Sequence, residues 1–81
     1  MKIEVTDVFT NESVELTATM TTDHPASSYG QPVMVVDEWN DCMSHQNWIL
    51  AGGRIIEATE AERADFARWY SLIEAMAGGL P

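Results

Sequence analysis

Asp37, Asp41, Cys42 and His45 place carboxylate, thiol and imidazole groups close together in the chain, with His24 as a distant fifth member. Such side chains hold transition metals, or carry nucleophilic catalysis when a thiolate is activated. A closed zinc site takes four ligands, usually as two spaced pairs, and Cys42 with His45 supplies only one pair. A nucleophilic cysteine also needs a cationic neighbour to favour the thiolate, and between residues 3 and 45 there are acids but neither Lys nor Arg. The pattern predicts a half-buried free cysteine beside a surface histidine, with no metal and no cofactor.

Paired carboxylates are the other chemical candidates. Asp37-Glu38 and Glu60/Glu62 could serve acid–base work only if one member sat in a cleft that favoured its neutral form. Both pairs fall in polar stretches, and the second has a structural explanation. Thr59-Glu60-Ala61-Glu62 is a capping box, in which Glu62 answers Thr59 and Glu60 favours the positive end of a helix. Gly52-Gly53 lacks the spacing and the Lys-Ser/Thr pair of a phosphate loop. The chain is therefore expected to bind rather than to catalyse.

Charge says what it would bind. Thirteen acids against four bases give a net charge of −9, and residues 1–53 hold eight of the acids with Lys2 as their one base. Arg54, Arg63 and Arg68 partly offset the five acids that follow. Such a surface repels nucleic acid and anionic lipid and attracts basic proteins, most strongly at low salt. A single cysteine, with no apolar run of the roughly 18 residues that span a bilayer, points to a soluble protein of a reducing cytoplasm.

The elements that would carry these groups fit one α+β domain over residues 1–81, too short for a second core. With 46% hydrophobic residues, the composition is that of a folded chain rather than an acidic tail. Alternation over Lys2–Phe9 and Val14–Met20 predicts a β-hairpin, with Ile3, Val5, Asp7 and Phe9 facing Met20, Ala18, Leu16 and Val14. Its turn is at Asn11-Glu12, or in a four-residue loop around them. Residues 22–31 form a connector. Val33–Val36 reads as a central strand covered on both faces, ended by Asp37-Glu38. Residues 39–50 predict a short helix or loop and then a strand at Trp48-Ile49-Leu50. After a turn at Ala51-Gly52-Gly53 come a strand around Ile55-Ile56 and a capped amphipathic helix with Phe66, Trp69, Tyr70, Ile73 and Ala77 on one face, stopped by Gly78-Gly79 and Pro81. The expected fold is a small antiparallel or mixed sheet packed against one C-terminal helix.

Two surfaces remain as partner-binding candidates. One is the polar face of the hairpin, with Glu4 and Glu15 among threonines. The other is Asp37, Glu38 and Asp41 with Trp39 and Trp48, aromatics that either anchor an interface or cap the core. Strands space same-face side chains by about 6.6 Å, suitable for a rough phosphate track. Threonines and Lys2 interrupt that track, so acidic clusters gripping Lys or Arg fit better than a regular DNA mimic.

The run from His24 through Pro25, Tyr29 and Pro32 to Asp37, and the run Ile55–Arg63, resemble stretches of small proteins of bacteria and their phages. In size, acidity and lack of catalytic motif the whole chain resembles phage-encoded anti-CRISPR proteins, which block CRISPR effector complexes, often by filling basic DNA-binding channels. The resemblance implies an inhibitor of a nucleic-acid-handling complex, acting in the host cytoplasm on a basic protein surface without touching nucleic acid or membrane, as a monomer or homodimer. A self-associating regulatory module of the antitoxin kind is the other reading.

Overall fold

A computed structural model describes residues 1–27 and 29–78, with side chains beyond Ser71 described only for Glu74. The strands β1 (Lys2–Thr6), β2 (Ser13–Thr21), β3 (Val33–Val36), β4 (Asp41–Met43) and β5 (Arg54–Glu57) form one sheet in the order β4-β3-β2-β1-β5. Every neighbouring pair is antiparallel. A 3-10 turn at Asp37–Trp39 links β3 to β4, α1 (His45–Leu50) links β4 to β5, and α2 (Glu60–Gly78) packs across β2 and β3.

The hairpin keeps the expected faces and changes its register. Val5 pairs with Val14 and Ile3 with Leu16, a slip of four residues from the pairing that alternation suggested. An even slip returns every side chain to the same face, so hydrophobic pattern cannot choose between the two registers. Asp7 decides it. Its Oδ1 accepts from the Phe9 and Thr10 N–H groups at 2.8 and 3.2 Å, an Asx turn that ends the strand early and leaves Asp7 and Phe9 in the connecting loop.

Ile3, Val5, Ala18, Met34, Val36 and Met43 form the inner face of the sheet, joined by Trp48 from α1 and Trp69 from α2. Complete burial of Ile3, Met34 and Val36 contributes about 1.5–3 kcal/mol for each side chain. β2, not β3, is the central strand, because β1 pairs with its first half and β3 with its second. Val33 and Val35, on the outer face of β3, are half-buried rather than covered.

Residues 39–50 fold in the reverse of the expected order. Asn40 takes a left-handed conformation (φ 49°), which stops the 3-10 turn and releases the chain into β4. Ser44 then starts α1, its Oγ accepting from Asn47 N–H at 3.1 Å, so Trp48, Ile49 and Leu50 are helical. The capping box of α2 forms as read: Glu62 N–H donates to Thr59 Oγ1 and Thr59 N–H to Glu62 Oε1. The side chains of Ile73 and Ala77, assigned to the apolar face, are not among those described, and the stop at Gly79 and Pro81 lies outside the described residues. Among the described residues no helix is long and apolar enough to cross a membrane.

Candidate partner-binding surface

The outer face of the sheet carries Glu4 and Glu15 directly opposite one another on β1 and β2. Like charges so placed repel, and each has a cation beside it. Arg54 lies 3.2 Å from Glu4 and Lys2 3.5 Å from Glu15, giving a row of alternating partners across β5, β1 and β2. The hairpin acids are therefore locally balanced, and little net field projects from them.

The Asp37–Asp41 segment has a different character. Asp37 Oδ1 accepts from the Thr19 hydroxyl at 3.0 Å, and Asp41 Oδ1 from the Cys42 N–H at 2.8 Å. Both oxygens of Glu38 face the Thr17 N–H, at 3.2 and 3.3 Å, where β3 has ended and β2 would otherwise present an open edge. These carboxylates are exposed, are held by neutral donors, and have no Lys or Arg within ion-pair distance among the described residues. Held in place without being neutralised, they keep their charge and lose little side-chain freedom when a cation arrives.

Trp39, in the same turn, is 52% exposed and forms one wall of an apolar groove of about 430 Å³. Val8 and Phe9 of the hairpin loop, Val14, Met43 and Leu50 complete it. The groove lies between the hairpin, on one side, and the 3-10 turn, β4 and the end of α1, on the other. Val14 points to the same side as Leu16 and Ala18 and is 42% exposed, with Asn47 and Leu50 of α1 lining the same groove. Phe9 is 95% exposed, although its position in the apolar alternation suggested a place on the covered face. None of the lining residues is basic, and Asp7 stands among them.

Trp48 does not belong to this surface. It is only 5% exposed and packs edge-on to Phe66 and Trp69 at centroid separations of 5.3 and 6.4 Å, so it is a core residue and not a contact for a partner. His45, expected at the surface, is 6% exposed between the rings of Trp69 and Tyr70. Burial separates it from Cys42, which lies half-exposed on the outer face of β4. Val8, Phe9, Val14 and Leu50, which line the groove, were not among the residues that the sequence singled out. Their one signal is Val8-Phe9 set beside a polar turn, a pattern equally suited to a strand end. Compared with known proteins, the chain matches no family model, no curated protein and no solved structure, which leaves its own surface as the basis for function.

Proposed function

We propose that this is a small acidic binding protein that inhibits a nucleic-acid-handling complex by occupying a Lys/Arg-rich surface, in the manner of the anti-CRISPR type. Its contact surface is Asp37, Glu38 and Asp41, with Trp39 as the apolar anchor at the edge of the groove. The carrying observation is the contrast between the two acidic surfaces: the hairpin acids have Arg54 and Lys2 beside them, whereas the Asp37–Asp41 acids are held by neutral donors next to exposed apolar surface. A basic segment with an apolar side chain between its cations complements both halves of that arrangement. Such a binder works by exclusion and needs no catalytic group.

The test is capture of the partner from a host lysate at low and high salt, followed by an assay of nucleic-acid binding by the captured complex. Reversal of Asp37, Glu38 and Asp41 to Lys should abolish capture and inhibition, while reversal of Glu4 and Glu15 should weaken them less. Inhibition that survives the first reversal and is indifferent to salt would rule the reading out.

One observation favours self-association instead: Val8, Phe9 and Leu50 expose apolar surface that a second copy could cover. A charge of −9 on each copy opposes it. Light scattering separates the two, since self-association through the groove would give a dimer lost on Phe9→Ser substitution.

A further inference from the structure

We propose that His24, Asp41 and Cys42 form a binding site for a divalent transition-metal ion of the zinc class. Each offers one ligand atom, and the three atoms lie within 4.8 Å of one another although His24 is far from the other two in the chain. His24 is carried on the connector after β2, while Asp41 and Cys42 are consecutive in β4 at the edge of the sheet. A nitrogen, an oxygen and a sulfur donor suit zinc or cobalt rather than magnesium or calcium, which take oxygen ligands. In a loaded tetrahedral site neighbouring ligand atoms stand roughly 3.4–3.7 Å apart, so closure takes about an ångström of side-chain movement.

The local hydrogen bonds say how the site would close. Asp41 Oδ1 accepts from the Cys42 N–H, which leaves Oδ2 for the ion. His24 Nδ1 accepts from the Ala26 N–H at 3.0 Å. Whichever ring nitrogen binds the metal, that hydrogen bond is exchanged for it. If Nδ1 ligates, its lone pair is used; if Nε2 ligates, Nδ1 carries the proton. Ala26 is exposed, so water can take up its amide. The Cys42 thiol loses its proton to solvent on binding. Three protein donors leave a fourth position for water or a ligand from a partner. The ion would fasten the connector to the edge strand, and it would draw on Asp41, one of the carboxylates proposed to meet a basic partner. The site itself does not depend on that reading.

Cobalt titration of the metal-free full chain tests the proposal. Expected is a saturable one-to-one complex with a thiolate-to-cobalt charge-transfer band in the near ultraviolet, bleached by zinc. Cys42→Ser should remove the band. His24→Ala and Asp41→Asn should each weaken binding by about tenfold or more, by analogy with the loss on removing even supporting groups. Cobalt held by scattered surface carboxylates gives no thiolate band, so saturation without one overturns the site, as does unchanged affinity in His24→Ala. Should a variant fail to fold, the unaltered chain still decides. Zinc must shift the His24 ring and Ala26 amide resonances, and unmoved resonances end the proposal.

Discussion

The Met1 amino group donates to Glu62 Oε2 at 2.8 Å and to the Ala18 carbonyl at 2.7 Å, joining the start of β1 to the first turn of α2 across most of the sequence. The other Glu62 oxygen accepts from the Thr59 N–H. One side chain thus caps a helix and binds the amine that begins the sheet. The amine hydrogen bond is the largest influence holding the Glu62 carboxyl down at about 2, against an ordinary 4.5, with the Thr59 backbone and side chain adding to it.

Acid should release this tie. A carboxyl whose folded pKa is depressed contributes stability that is complete above about 4.5 and is lost as pH falls through about 2. Urea midpoints for the native chain and Glu62→Gln should therefore differ most above pH 4.5, converge between there and pH 2, and coincide below it. A difference independent of pH would show that the carboxylate charge is not what Glu62 contributes.

The three tryptophans should separate by stability. Trp48→Ala and Trp69→Ala each empty a buried site and should cost about 3–5 kcal/mol. Trp39→Ala should stay within about 0.5 kcal/mol, because half its surface is already in water. Denaturant midpoints measure all three, and Trp39 should be the tryptophan most quenched by acrylamide.

That difference was invisible in the sequence, for a physical reason. Trp39 and Trp48 share an acidic stretch without periodicity, and what divides them is the left-handed Asn40 and the Ser44 cap, single-residue events that reset the chain's direction. Pattern was sufficient where many residues vote together. Ile3, Val5, Leu16 and Ala18 assigned the faces of the hairpin, and Thr59 with Glu62 marked the start of α2. It was insufficient for register, where an even slip leaves every vote unchanged, and for the donor cluster, where the Cys42-to-His45 spacing pointed to a histidine that the core had claimed. His24 reaches Cys42 by the path of the connector, which no local pattern encodes.

Neighbouring glycines should respond differently to alanine. Gly53 lies against the Trp48 indole, and a Cβ there would overlap the ring, so Gly53→Ala should cost about 1–3 kcal/mol through forced repacking. Gly52 has φ +56° with open space around it, and Gly52→Ala should cost only the left-handed backbone penalty of about 1 kcal/mol. Thermal melts of the two variants decide the order.

His45 should be replaceable by an apolar ring. Its Nε2 is buried and has no hydrogen-bond partner among the described residues, while its ring stands edge-on to Tyr70 and Trp69 at 5.0 and 6.1 Å. A buried polar atom left unsatisfied costs about 1–3 kcal/mol, whereas the aromatic contacts need only the ring. Phe at this position keeps the contacts and removes the orphan atom, so His45→Phe should unfold at equal or higher denaturant than the native chain. His45→Ala discards the ring as well and should fall below both. Destabilisation of His45→Phe as large as that of His45→Ala would mean that Nε2 is satisfied in solution, and the imidazole would then be a polar tie between α1 and α2 rather than a tolerated defect in their packing.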